Sequence, residues 1–360
     1  MSSDNITIEK LSEIESTLQS PDMYFGDIKV SNIQGYGYDD ENNEVYKTKN
    51  LISSVLLKMV DELLMNCTDN YIRSEKSSTK MTYIKVNING NKITIENNGL
   101  SIPVNKYKNT ETYIPEIVFT SLFSSSNFNN ERTGAGKNGV GASITNIMSN
   151  EFNIDITNNN VNYKQNITNN CKNINKPTIH PKQEENHVKI SFIPDMKRII
   201  DIGLDPNDKQ KGIENIVFNN TLPFIKRRVL DIAMLMNKYV DVYLNNNCLS
   251  DITLQKYAKM FIGETKFIEF KKTNIFDILI PTNTNEKNKN IITFVNNIYV
   301  SKGIHISNII DQISSYVGKR LKLKDDKFDS CKKVISRNLS IIKKFNVFNP
   351  MFEGHCKYKL

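Results

Sequence analysis

The 360-residue chain has little of what would place it outside a cell or in a membrane. Its five cysteines, Cys67, Cys171, Cys248, Cys331 and Cys356, are odd in number and widely spaced, with no Cys-x-x-Cys pair. That argues against a disulfide framework or a zinc site and for a reducing intracellular setting. The opening Met1-Ser2-Ser3-Asp4-Asn5 has neither the basic flank nor the apolar stretch of a signal peptide. No later apolar run approaches the roughly 20 residues that span a bilayer. The expectation is a soluble intracellular protein of nucleus or cytoplasm, or of a host cell if the source is viral or phage, with no membrane partner. No internal repeat is visible.

What is present is ordinary globular composition, 39% hydrophobic and 24% charged, in a chain long enough for two domains that each bury a core. The net charge of +8 is unevenly placed: residues 301–360 hold 13 Lys/Arg against 5 Asp/Glu, and residues 1–300 hold 34 of each. Lys319, Arg320, Lys322, Lys324, Lys327, Lys332 and Lys333 can be a solvated helix face, or can meet nucleic-acid phosphates. From charge alone the solvated face is the simpler account.

Residues 51–71 place Leu56, Leu57, Val60, Leu63, Leu64 and Cys67 at spacings of three and four, which predicts an amphipathic helix. Glu62, Asn66, Asp69 and Asn70 form its polar stripe. Residues 83–88 and 92–96 alternate around Asn89-Gly90, the signal of a hairpin with a type I′ turn. The second strand runs into Asn97-Asn98-Gly99, which puts amide side chains at a strand end where a cavity can form. Residues 113–123 read as a short helix and 124–130, rich in Ser and Asn, as a lid. Residues 157–177 read as a hairpin or loop, 188–195 as a strand, 222–236 as a helix and 240–244 as a strand. After a boundary near residue 255 the pattern turns strand-rich, with strands at 276–280, 291–300 and 340–342, a helix at 305–321, and a loop from Phe348.

Two segments carry the chemistry. Glu62 and Asn66 are four apart on one helical face, a general-base candidate beside a neutral oxygen ligand suited to Mg²⁺. In the second, Gly134, Gly136, Gly139 and Gly141 allow backbone N–H groups to turn inward on an anion before a helix begins. Gly134 to Gly139 satisfies G-x-G-x-x-G, but no strand precedes it. Lys137 does not complete a Walker loop either, because Glu131 and Asn138 stand where that pattern needs Gly and Ser or Thr. Singly, each motif is also met in a plain helix face or turn. Their order, base helix, hairpin with a terminal Asn-Gly, serine lid, glycine loop, points to ATP hydrolysis.

That order resembles the ATPase region of the type IIA DNA topoisomerases, within the wider GHKL group of gyrase, MutL proteins, histidine kinases and ninety-kilodalton chaperones. Ser20-Pro21-Asp22-Met23-Tyr24-Phe25-Gly26 is similar to the family's R-P-D-M-Y-I-G, with Ser20 for Arg. Asp61-Glu62-Leu63-Leu64-Met65-Asn66 resembles D-E-[IL]-[IL]-x-N, Asn98-Gly99-Leu100-Ser101-Ile102-Pro103 resembles N-G-x-G-I-P, and Ser125-Ser126-Asn127 looks like S-S-N. Phe294-Val295-Asn296-Asn297-Ile298 with Gly303-Ile304-His305 resembles the transducer strand and helix start. Asn349-Pro350-Met351-Phe352-Glu353-Gly354-His355-Cys356-Lys357 resembles N-P-x-F-x-S-Q-T-K.

The resemblance implies an α+β architecture: a GHKL α/β sandwich over 1–255, then a transducer of ribosomal-protein-like βαβ fold over 256–360, cut short at its C-terminus. It implies ATP and Mg²⁺ as ligands. Glu62 would be the base and Lys357 the γ-phosphate sensor, with Asn66 on the metal. Asn70, Asn98, Ser125, Ser126, Asn127, Gly134, Gly136, Lys137, Asn138, Gly139, Val140, Gly141 and Ala142 would line the nucleotide, Asn98 facing adenine. It also implies an ATP-driven homodimer that captures duplex DNA. No metal-binding acidic cluster or cleavage tyrosine region follows Lys357, so DNA cleavage is expected elsewhere in the same or a separate chain. The departures are His355 and Cys356 for Gln and Thr, Val188 for an adenine-side Thr, and Ser143 where eukaryotic relatives have Lys. They fall on adenine and sensor contacts rather than on the hydrolytic step. Two other readings stay open: a MutL-like or chaperone-like clamp, and a non-catalytic nucleotide-gated module.

Overall fold

The computed structural model describes residues 10–124, 139–237, 239–272, 275–283, 290–300 and 303–347. It opens with α1 (Glu13–Gln19), α2 (Asp22–Phe25), a hairpin of β1 (Val30–Asp39) and β2 (Glu44–Ser53), and the long helix α3 (Ser54–Ser74). There follow β3 (Tyr83–Asn89), β4 (Lys92–Asn98), α4 (Ile114–Thr120), α5 (Gly141–Ile147), β5 (Ser149–Asn158), β6 (Val161–Thr168), β7 (Asn173–Ile174) and β8 (Thr178–Pro181). Then come β9 (His187–Pro194), α6 (Met196–Gly203), α7 (Ile213–Met236), β10 (Asp241–Leu244) and β11 (Asn247–Cys248). The last elements are α8 (Leu254–Ile262), β12 (Phe267–Lys272), β13 (Phe276–Pro281), β14 (Ile291–Val295), β15 (Ile298–Tyr299), α9 (Ile304–Arg320), α10 (Asp325–Asn338) and β16 (Ile341–Phe345).

Nine strands form one sheet in the order β11-β10-β3-β4-β9-β5-β6-β7, with β8 also on β6; β10 meets β3 in parallel and the other pairs are antiparallel. Helices α3, α5 and α7 pack against it, and α3 also packs against each of the other two. A second sheet runs β12-β13-β16-β14-β15, with α9 and α10 crossing between the parallel neighbours β14 and β16. One connected set of buried apolar side chains extends through both sheets, from Phe25 to Ile342.

Helix α3 begins where Ser53 caps it, its hydroxyl accepting from the Leu56 N–H at 3.1 Å. Of its expected apolar stripe, Leu56, Val60, Leu63, Leu64 and Cys67 are buried, together with Val55 and Met59, while Leu57 is only partly buried. Three expectations are corrected by the structure. The β3–β4 turn is Gly90–Asn91, not Asn89–Gly90, and of the two only Gly90 takes positive φ (+57°), the pattern of a type II′ turn. Residues 291–300 are two strands, because Asn296 and Asn297 (φ +47° and +66°) turn the chain between β14 and β15. Helix α7 starts at Ile213 and runs through Pro223 rather than beginning beside it. At that point β1 crosses the helix closely: a Cβ on Gly35 would lie 2.8 Å from Phe224, and one on Gly37 2.7 Å from Pro223. Tertiary contact with β1 thus accompanies a helix that local propensity alone would end at proline.

Candidate functional site

Three residues of the α3 polar stripe, Glu62, Asn66 and Asn70, sit differently from one another. Asn66 is exposed although residues 63–65 and 67–70 are all buried, so the helix has an opening at that position. One turn earlier, Glu62 is 14% exposed at its side chain, with Oε1 in an ion pair to Lys58. One turn later, Asn70 is buried, its Nδ2 donating to the Asn98 carbonyl at 3.2 Å while its Oδ1 has no hydrogen-bond partner among the described residues. A buried acceptor left unsatisfied costs about 1–3 kcal/mol, so a bound water or cation there would relieve it. An open neutral amide beside a carboxylate, with an orphaned amide oxygen one turn on, is a donor set that fits a hydrated divalent cation and its phosphates.

Helix α5 closes on this stripe. A Cβ built on Gly141 would fall on Glu62, nearest Oε2 and then 2.8 Å from Cδ and 2.9 Å from Cβ. Only a residue without a side chain lets the two backbones approach this far. The approach is fixed by Thr145, whose hydroxyl donates to the Met59 carbonyl of α3 at 3.3 Å, and by Ser143, which donates to the Ser121 carbonyl at 2.8 Å. Gly139 takes φ +61°, and its carbonyl accepts from the Ser124 N–H at 3.0 Å. Val140 precedes the helix, and Ala142 is buried in it. Of the other expected site residues, Ser125, Ser126, Asn127, Gly134, Gly136, Lys137, Asn138 and Lys357 lie outside the described residues.

The end of β4 forms a second wall. Gly99 takes φ +92°, and a Cβ there would meet Ser74 Oγ at 2.7 Å and Met81 Cβ at 2.8 Å, so glycine is demanded twice over. Asn98 is fully buried, and its amide is spent within the fold. Oδ1 accepts from the Thr82 and Tyr83 N–H groups at 2.8 and 3.0 Å, and Nδ2 donates to Thr82 Oγ1 at 2.7 Å and Glu185 Oε1 at 2.6 Å. In this arrangement Asn98 ties β4 to β3, and no amide atom is left over for a base. Beside it in register, His187 of β9 faces Asp155, Nε2 to Oδ1 at 3.5 Å. The Asp155 hydrogen bond, opposed by partial burial, holds the imidazole pKa above its ordinary value.

Two residues of this site escaped the motif reading. Lys58 was visible as an i, i+4 partner of Glu62, a spacing shared by many surface pairs. Glu185 had no local signal, since it reaches Asn98 only through the β4–β9 pairing.

A family model described as histidine kinase-, DNA gyrase B-, and HSP90-like ATPase matches residues 54–173, which span α3 through the start of β7. The DNA topoisomerase 2 of Meyerozyma guilliermondii is 29% identical across 98% of this chain. The crystal structure of the ATPase region of Saccharomyces cerevisiae topoisomerase II aligns with a TM-score of 0.82 at 27% identity, covering 98% of this chain and 89% of that one. The ATPase and transducer domains of DNA topoisomerase II from Balamuthia mandrillaris align with a TM-score of 0.83 at 26% identity, over 98% and 88% of the two chains. The chain spans about a quarter of the length of the curated relatives it matches, 26% in the Meyerozyma protein.

Proposed function

We propose, from the premise that this chain carries a histidine kinase-, DNA gyrase B- and HSP90-like ATPase domain and is a homologue of the topoisomerase II ATPase regions, that it binds and hydrolyses ATP as the nucleotide gate of a type IIA DNA topoisomerase. Its nucleotide-binding half runs to about residue 255 and its transducer half from 256. The observation that carries the hydrolytic reading is the meeting of Glu62 with Gly141, which brings a carboxylate from α3 against the end of the glycine-rich segment.

Glu62 is the general base. It takes the proton of a water whose oxygen attacks the γ-phosphorus, as the bond from that phosphorus to the ADP oxygen breaks. Lys58 holds Oε1 and so fixes the carboxylate's orientation, leaving Oε2 on the Gly141 side. Asn66, with Asn70 behind it, would hold Mg²⁺, which supplies positive charge against the phosphate oxygens. A neutral amide at position 66 adds no second negative charge beside Glu62, whose Oε1 is already paired with Lys58. Adenine lies against the end of β4, where Asn98 can offer its amide only by giving up Glu185. The lid and glycine segment, Ser125 to Asn127 and Gly134 to Ala142, enclose the ribose and phosphates, and Lys357 reaches the γ-phosphate from the transducer. Closure joins two copies around a DNA duplex, the basic α9–α10 region lining its path, and DNA cleavage belongs to another region or chain.

The test is Glu62→Gln, which keeps shape and loses the base. Nucleotide binding should persist while turnover drops by about 10² or more, the scale of a general base. Turnover at the native rate would remove Glu62 from the role.

A further inference from the structure

The turn between β14 and β15 is joined on one side to Val347, at the end of the described residues, and on the other to the helix that carries Glu62. Asn296 clamps Val347 with both ends of its amide, Oδ1 accepting from the Val347 N–H at 2.7 Å and Nδ2 donating to the Val347 carbonyl at 2.8 Å. Val347 lies two residues before Asn349, the first residue of the motif that ends at Lys357. The next residue in the turn, Asn297, offers its carbonyl to Arg228 Nη2 at 2.9 Å. Arg228 Nε in turn donates to Asp61 Oδ1 at 2.6 Å, and Asp61 precedes Glu62 on α3.

This path is rigid at each joint. Both turn residues are held at positive φ by the two-residue hairpin. The Arg228 side chain is only 12% exposed; burial works against its charge, but Asp61 and Asp231 outweigh that and keep the guanidinium protonated. Its neighbour Arg227 stacks over the Tyr299 ring of β15 at 4.6 Å and pairs with Asp231 at 3.1 Å, so the hairpin is gripped on both sides by α7. A planar guanidinium donating in two fixed directions cannot keep both bonds if either partner shifts by an ångström or so.

We propose that Arg228 is a positioning residue that couples the chain at Val347, just after β16, to the hydrolytic base: through Asn296 and Asn297, displacement at Val347 re-aims Asp61 and with it Glu62. The proposal rests on the reading of Glu62 as the base. It assigns to Arg228, Asn296 and the Asn297 carbonyl the work of making hydrolysis depend on where the transducer sits.

Two variants of the full chain test it. Asn296→Gly tolerates the positive φ and removes the clamp on Val347, and Arg228→Lys keeps charge but cannot make both contacts. Each should lower kcat for ATP by about tenfold with KM and nucleotide Kd changed less than about twofold, and the double variant should lose no more than the worse single one, because both cut one path. Should Arg228→Lys fail to fold, Asn296→Gly with a near-native Tm decides alone. A native kcat in Asn296→Gly, a loss matched by weaker nucleotide binding, or losses that multiply in the double variant would each overturn the coupling. If Glu62→Gln is dead while Asn296→Gly is fully active, the relay fails and the base assignment stands. If Glu62→Gln hydrolyses ATP normally, the base assignment fails and takes the relay with it.

Discussion

At Gly141 one hydrogen atom decides whether two helices meet. Alanine is the better helix former by up to about 1 kcal/mol, so on propensity Gly141→Ala would stabilise α5. The added methyl, however, would stand 2.8 Å from the Glu62 Cδ, and the carboxylate would have to swing away. The expected outcome is a folded protein, with Tm within a few degrees of the native chain, whose ATP turnover falls by roughly tenfold or more. Unchanged turnover in a steady-state assay would show that Glu62 is not aimed by this contact. Residue by residue, the sequence was informative about Glu62 and Asn66, whose helical spacing survives intact. It was less so about Asn98, since nothing local to that residue shows that Thr82, Tyr83 and Glu185 use up its amide.

Elements differ in how much they declare locally. The apolar stripe of α3 and the alternation of β3 and β4 are written in a few consecutive residues, and both form as expected. The Asn159–Asn160 and Asn296–Asn297 turns show the other side. Paired asparagines carry the positive φ that glycine usually supplies, so the first hairpin could be read only as hairpin or loop and the second as one continuous strand. The packing of α9 on the second sheet has a pH signature. His305 is buried, bonded through Nε2 to Thr293 Oγ1 at 3.0 Å, with no partner for Nδ1 among the described residues and the ammonium of Lys343 nearby. Burial first, and then Lys343, push its pKa down to about 4. The unfolded chain binds that proton near pH 6.5, so stability is full above 6.5 and falls as pH drops toward 4. Thermal unfolding across that window should show a shallower decline in His305→Gln than in the native chain, a difference of roughly 2–3 kcal/mol at the acid end. Equal slopes would mean the imidazole is not held neutral by the fold.

For the whole molecule, the question is whether nucleotide changes assembly. A ligand shifts a two-state equilibrium only by its differential affinity for the two states, and on the proposed reading that differential contact is the γ-phosphate. A non-hydrolysable ATP analogue should therefore move the chain from monomer to dimer in light scattering, and ADP should do so weakly or not at all. No shift at saturating analogue would count against the gate. The basic surface has a bearing at this scale too: 13 of the 47 Lys and Arg fall in the last sixth of the sequence, and α10 carries Lys332 and Arg337 among them.

Taken alone, the order of residues determined which chemistry is possible: an acid and an amide one helical turn apart, glycines ahead of a second helix, a strand ending in Asn-Asn-Gly. Those are short-range patterns, fixed by the 3.6-residue turn and the two-residue pleat, and they can be read without knowing what packs where. Only the tertiary structure decided that the carboxylate meets Gly141 from a distant part of the chain, that Asn98 is held by Thr82, Tyr83 and Glu185, and that Arg228 bridges α3 and the β14–β15 turn. Each of those depends on which faces are buried against each other, and burial is settled by the whole core at once rather than by any one segment.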